Sequence, residues 1–259
     1  MVAVTDALDG RVAVVTGASR GIGKALALGL AARGATVVCA ARTETENPDG
    51  LPGSILATAT AIERAGGRAL AVRCDVGSAD DLQHLVDITL QRLGGIDVLV
   101  NNAMVPSRGR FDELSLDGWD ASMTANVRSL FMLAKLVTPS MAARGGGSII
   151  NISSGGADHA ATAAMPPGFL AYAVAKAAME RFTTALAPEL APRGIAVNAL
   201  RPGAVKTELA TRELGDDFDW TGWVSPEAVV PPVVWLAATR APTCTGRIVE
   251  ASEFGSVWP

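Results

Sequence analysis

The sequence contains one tyrosine, two histidines and three cysteines in 259 residues, and aromatic residues make up only 5% of it. Each shortage excludes something. Cys39, Cys74 and Cys244 are odd in number, widely spaced and form no C-x-x-C pair. That pattern argues against a disulfide framework and a structural zinc site. They read as reduced core thiols of a cytoplasmic protein. His84 and His159 have no second histidine or carboxylate at ligand spacing, so both read as surface residues and no metal is expected. Lysine and arginine total 22 against 26 acids, a net charge of −4. This balance argues against a nucleic-acid partner, because phosphate binding calls for clustered cations. Apolar stretches are broken by Gly, Arg or Asp well short of the roughly 20 residues a membrane span needs. The N-terminus has no basic region followed by a long apolar run, so no signal peptide is expected.

What is present is a large apolar fraction, 49%, enough for a sizeable core. Short β-branched runs at 12–16, 36–40, 69–73, 97–101, 148–153 and 195–200 read as strands, with a last one near 247–250. Several are almost wholly apolar, as expected for strands covered on both faces. Helical periodicity falls at 21–33, 55–65, 79–93, 116–143 and 171–190. Ser78 before Asp80 and Asp81 looks like a helix start, as does Ser225-Pro226-Glu227. The alternation predicts an α/β fold of the Rossmann-like kind: a doubly wound parallel sheet in three layers. No linker, repeat or charge block divides residues 1–259, so a single domain is expected. The irregular stretches 43–53, 155–168 and 208–224 follow strands directly or nearly so, at the end of the sheet where such folds bind ligands.

The first strand runs into Thr16-Gly17-Ala18-Ser19-Arg20-Gly21-Ile22-Gly23 and then into a helix. Glycines allow a tight turn and close backbone approach, and a helix N-terminus offers unpaired N–H groups to a pyrophosphate. The spacing, G-x-x-x-G-x-G, is a variant of the dinucleotide fingerprint. The second strand ends Cys39-Ala40-Ala41-Arg42. An acid near this point accepts from the ribose 2′-hydroxyl of NAD. Here the acid is missing and Arg42 is available to meet a 2′-phosphate, with Arg20 as a second positive contact. Cations without an acid favour NADP(H) over NAD(H).

Tyr172-Ala173-Val174-Ala175-Lys176 sits at the start of a predicted helix. The i, i+4 spacing puts phenol and ammonium on one face. The chain's sole tyrosine thus stands beside one of only four lysines. A phenol with a pKa of about 10 is a poor acid–base catalyst near neutrality. A fixed cation favours the phenolate and lowers that value. Upstream, the strand ending Asn151-Ile152-Ser153-Ser154 offers hydroxyls that could hold a substrate oxygen.

With these motifs in order, the chain resembles a short-chain dehydrogenase/reductase of the compact, single-domain type, over nearly its whole length. Thr16, Gly17, Gly21 and Gly23 match the family's glycine motif. Asp75 followed by Val76 matches its adenine-contacting acid. Asn101-Asn102-Ala103 matches the segment after the fourth strand, and Asn126 the helix asparagine. Ser154, Tyr172 and Lys176 match the catalytic residues, and Pro202-Gly203 with Thr207 the nicotinamide segment. The resemblance implies that Ser154 polarises a carbonyl, that Tyr172 is the general acid/base, and that Lys176 lowers its pKa and binds the nicotinamide ribose. It gives Asn126 a proton-relaying water chain, and gives Thr207 and the backbone at Val205 the carboxamide. With Ser19, Arg20, Ile22, Arg42 and Ala103 completing the cofactor set, the expected activity is hydride transfer between NADP(H) and a small-molecule carbonyl or secondary alcohol. A ketone reductase of a small hydrophobic or 3-oxoacyl substrate is the preferred reading. The alternative is a non-catalytic NADP(H)-binding redox sensor, which need not keep these four residues together. The family also implies a homotetramer or dimer associating through the 116–143 and 171–190 helices, and a substrate lid near 205–225.

Two departures from the family pattern stand out. Met104 replaces the glycine that usually follows Asn-Asn-Ala. The stretch between Ser154 and Tyr172 is longer than usual, which leaves Ser153 as an alternative catalytic serine. Met165, Pro166, Pro167 and Phe169 in that stretch, and Phe218, Trp220 and Trp223 in the lid, line an apolar pocket on one reading and pack against protein on the other. Trp235 reads as core.

Overall fold

The computed structural model describes residues 7–47, 50–105, 108–160, 167–215 and 217–259. The β-branched runs become strands: β1 (Val12–Thr16), β2 (Thr36–Ala41), β3 (Arg68–Arg73), β4 (Val98–Asn101), β5 (Gly147–Ile152), β6 (Ile195–Arg201) and β7 (Ile248–Glu250). They form one parallel sheet in the order β3-β2-β1-β4-β5-β6-β7. The order reverses between β1 and β4, which opens a crevice at their carboxyl ends.

The helices are α1 (Gly21–Ala31), α2 (Ile55–Arg64), α3 (Ala79–Leu93), α4 (Leu116–Met123), α5 (Ser129–Ala143), α6 (Leu170–Leu190), α7 (Glu208–Leu214) and α8 (Val230–Ala238). They cover both faces of the sheet, making three layers. Along β1 the side chains alternate, as the two-residue pleat requires. Ala13 and Val15 join a core with α1, α2 and α8, whereas Val12 and Val14 join the opposite core with α3, α5 and α6. Ser78 caps α3 by accepting from the Asp81 N–H, with Asp80 and Asp81 in its first turn. Buried Asp97 fixes the amino end of the sheet, accepting from Val12 N and from the Arg144 fork at 2.9 Å each.

Two elements differ from the sequence reading. The stretch expected as one helix over 116–143 contains a π-helical turn, Thr124–Arg128, joining α4 to α5. Such a turn inserts one residue into the ladder and often marks a functional position; here it carries Asn126. The stretch expected to be irregular over 208–224 contains α7, started by Thr207 Oγ1, which accepts from Ala210 N at 3.2 Å. Its seven residues are too few for a periodic signal. Among the described residues no helix is long and apolar enough to cross a membrane.

Candidate active site

The glycine turn lies between β1 and α1, and its shape follows from what cannot fit there. Gly17 has φ +69°, and a Cβ on it would meet Asn102 Nδ2 at 2.8 Å. A Cβ on Gly23 would lie 2.2 Å from the Gly17 carbonyl oxygen. Asn102 Nδ2 donates to Thr16 O at 2.9 Å, and the N–H groups of Asn102 and Ala103 both donate to Thr16 Oγ1 at 3.0 Å. Helix α1 begins with no capping side chain and no acid in its first turn. Its amino end opens onto a cavity of about 520 Å³ bordered by Ser19, Ile22, Arg42, Asp75, Val76 and Thr207, among others. Met104 also borders this cavity, so its extra bulk narrows the groove.

Arg20 lines the cavity, and its guanidinium also donates to the carbonyls of Leu51 (3.1 Å), Pro52 (2.9 Å) and Gly53 (2.9 Å), holding residues 51–53 beside the turn. Arg42 and Arg212 of α7 border the same cavity. Glu208, also on α7, has one buried carboxylate oxygen without a hydrogen-bond partner, 3.5 Å from where a Cβ on Gly21 would lie.

The second half of the site gathers at the ends of β5 and α6. Asn126 is buried and clasps the segment after β4: Oδ1 accepts from Val105 N and Nδ2 donates to Val105 O, both at 3.1 Å. Ser154 begins a short 3-10 turn and its hydroxyl faces the Tyr172 phenol, where it favours the phenolate. Ser153 faces away, its hydroxyl donating to Glu180 Oε1 at 2.7 Å. The geometry therefore brings Ser154, and not Ser153, to Tyr172. Lys176 is buried, donates to Ile152 O at 2.6 Å, and stands 5.7 Å from the centre of the Tyr172 ring.

Burial is the largest influence on both groups. It holds the Tyr172 phenol above its ordinary value, opposed by the Ser154 hydroxyl and the Arg108 guanidinium. Burial also pulls Lys176 down to about 8, with Glu180 opposing. In a low-dielectric site the charged forms of both groups are disfavoured.

Pro202 and Gly203 follow β6 near this centre. The 206–223 excursion is closed at its base by a bridge between Val205 and Val224. Phe218, Trp220 and Trp223 pack on one another with ring centres 5.0–5.7 Å apart. Lys206 Nζ lies 4.7 Å above the Trp220 ring. Phe169 meets Tyr172 edge to face, and the Arg108 guanidinium lies 4.2 Å above the Phe169 ring while pairing with Glu213 of α7. Met165 and Pro166 lie outside the described residues. Trp235 packs against the α1-side core and Trp258. Cys39 and Cys74 are buried thiols pushed up to about 12 by burial, and Cys244 is partly buried; all are unpaired. Sequence reasoning missed Arg108, Arg212, and the pair of Glu180 with Arg201. Only Glu180 left a trace, four residues beyond Lys176 on the same helix face.

The family model described as short chain dehydrogenase matches residues 11–217. A 3-oxoacyl-[acyl-carrier-protein] reductase from Synechocystis is 39% identical over 203 residues, covering 78% of this chain and 77% of its own. The 3beta-hydroxysteroid dehydrogenase 1 of Eggerthella lenta is 33% identical over 252 residues, 93% and 92% of the two chains. Among solved structures, a candidate NAD(P)-dependent gluconate 5-dehydrogenase from Beutenbergia cavernae, with NADP bound at low occupancy, superposes with a TM-score of 0.82 at 33% identity. That match covers 94% of this chain and 96% of the other.

Proposed function

Because the chain belongs to the short-chain dehydrogenase family, and so is an oxidoreductase acting between an alcohol and a carbonyl, we propose that it is an NADP(H)-dependent ketone reductase. The observation that carries this reading is the Ser154 hydroxyl facing the Tyr172 phenol with the Lys176 ammonium beside the ring, next to a glycine-lined cavity. The cavity suits a dinucleotide: an uncapped helix with no acid in its own first turn for the pyrophosphate, and Arg42 with no acid at the end of β2 for a 2′-phosphate. Asp75 and Val76, which border the cavity, would meet the adenine end, and Thr207, which also borders it, the nicotinamide end together with Pro202, Gly203 and Val205 of the same segment. When bound, the nicotinamide supplies the hydride.

The chain's own residues handle the oxygen. Ser154 donates to the carbonyl oxygen, Tyr172 delivers the proton as the hydride reaches the carbon, and Lys176 supports the phenolate left behind. A phenol held above its ordinary pKa keeps its proton at neutral pH, which suits reduction. Reductive turnover falls above about pH 8, where Lys176 loses its charge. The relatives act on different carbonyls by name. Exposed Phe131 and Val174 on α5 and α6, together with Phe169 at the mouth, favour a small hydrophobic or 3-oxoacyl substrate and a homodimer or tetramer. The segment near 205–225 is the lid. The protein acts in the cytoplasm.

The test is NADPH consumption across ketones, aldehydes and 3-oxoacyl thioesters, with the folded Tyr172→Phe variant beside the parent. Parent turnover that drops roughly 10²–10⁴-fold in the variant supports the reading. Tight NADPH binding with no turnover on any carbonyl would turn the reading toward a redox sensor.

A further inference from the structure

Glu180 has no part in the chemistry above, yet it is buried on α6 four residues beyond Lys176. A carboxylate is placed there only with partners that replace its water. Those partners are specific. Oε1 accepts from Ser153 Oγ and from Arg201 Nε, both at 2.7 Å, and Oε2 accepts from Arg201 Nη2 at 2.8 Å. Ser153 directly precedes Ser154, and the carbonyl of the preceding residue, Ile152, takes the Lys176 ammonium at 2.6 Å. Arg201 ends β6 and reaches on to Glu250 of β7 at 3.1 Å and to Asp158 after β5 at 3.7 Å. One carboxylate therefore ties the ends of β5 and β6, and β7 through Arg201, to the helix that carries Tyr172 and Lys176.

We propose that Glu180, held in a fork by Arg201, is a positioning residue that fixes Ser154 against Tyr172 and keeps Lys176 charged beside the phenol. This rests on the reading of Ser154, Tyr172 and Lys176 given above. Two links of the same path carry it. The Ser153 hydroxyl is anchored on α6, so the next residue meets the phenol at a set distance. The Glu180 charge lies on the same helix face as Lys176, one turn away, where it favours the ammonium. The other charges around this pair are Arg201 on β6, Asp158 after β5, Glu250 on β7, and Arg108 across the cleft from Tyr172. Arg201 sets how much of the Glu180 charge Lys176 senses.

A purely structural ion pair and a positioning pair make different predictions for two variants. Glu180→Gln removes the negative charge and keeps the shape. Arg201→Met leaves that charge without its partner. With one tyrosine and four lysines in the chain, NMR of ¹³C-labelled lysine Cε follows Lys176 directly in the folded protein, with NADPH turnover against pH recorded in parallel. Expected for Glu180→Gln is a Lys176 midpoint about half a pH unit or more below the parent's. Its alkaline limb of turnover shifts the same way, and kcat falls about tenfold with little change in the KM for NADPH. In Arg201→Met the midpoint and the limb move upward. The double variant returns both toward the parent. Where Arg201→Met does not fold, Arg201→Lys keeps the charge but loses the fork, and lowers kcat with the limb in place. An active parent whose Lys176 midpoint stays fixed in Glu180→Gln, or moves the same way in both single variants, would overturn the role given to Glu180. A parent inactive on every carbonyl would instead overturn the reductase reading, whatever the lysine does.

Discussion

The glycine turn and the Tyr172–Lys176 helix sit side by side at one end of the sheet but are built from different materials. The turn is made by missing side chains and by neutral hydrogen bonds from Asn102 and Ala103 to Thr16. It has no slack, since a single added methyl on Gly23 would collide with backbone. The catalytic helix end is made of buried charge: Lys176 is pulled down to about 8, the Tyr172 phenol is held up, and Glu180 is locked by Arg201. The first region owes its function to shape, and shape is shared with the fold. The second owes it to electrostatics, and buried charges contribute little to stability. The two regions therefore fail differently when altered.

The largest effect expected is at the turn. Gly23→Ala puts a methyl 2.2 Å from the Gly17 carbonyl, forcing β1 and α1 apart at a cost of about 2–3 kcal/mol. NADPH affinity should fall roughly a hundredfold, as the backbone leaves pyrophosphate distance. Calorimetry and cofactor titration check both losses together. Binding lost without any drop in the melting temperature would separate site from fold at the turn and break the comparison.

Lys176→Met gives the converse. It replaces a buried ammonium by an apolar chain of similar length, and leaves the Ile152 carbonyl without its donor. Stability should change by less than about 1 kcal/mol, because the lost bond is offset by relief of a buried charge. Reductive kcat should fall roughly a hundredfold or more, and what remains should lose the limb near pH 8. A large drop in melting temperature would mean that the charged end also carries the fold.

This contrast also explains what could be read in the sequence. The strands were legible because each is a short apolar run flanked by turn residues, and the turn because glycine at fixed spacing has a single physical use. The i, i+4 pair of Tyr172 and Lys176 was legible because the chain has so few of either residue. The partners were not. Glu180 touches Arg201 across 21 residues and Arg108 touches Glu213 across 105, and no local pattern encodes those pairings. Arg20 shows the same limit, because its place in the turn puts it at the cavity, but no local pattern encodes the three carbonyls of residues 51–53 that it also holds. The burial of both groups of the Tyr172–Lys176 pair was hidden for a related reason, since spacing reveals a cation but not the depth at which it lies.

A smaller effect sharpens the comparison at the cofactor rim. Arg42 borders the cavity at the end of β2. Arg42→Asp should weaken NADPH binding about tenfold and strengthen NADH, because a carboxylate repels a 2′-phosphate and accepts from a 2′-hydroxyl. Cofactor titrations that leave the preference unchanged would move the phosphate contact to Arg212 on α7, and with it the basis of selection from the sheet to the lid.

The smallest effect has the most informative sign. Glu208 turns a buried, unpartnered carboxylate oxygen toward the amino end of α1, near Gly21. A negative group is favoured there by the helix dipole and the free N–H groups. A pyrophosphate is favoured there for the same reason, and two anions cannot share the position without repulsion. A dinucleotide should therefore compete with the carboxylate for that position. Glu208→Gln keeps the shape and removes the charge, so NADPH should bind about fivefold more tightly, a gain of about 1 kcal/mol that shrinks with added salt. Tighter binding would make Glu208 a competitor of the phosphate for the amino end of α1. Weaker binding would mean that its unpartnered oxygen instead accepts a hydrogen bond from the bound cofactor, and the lid would then belong with the charged half of the site.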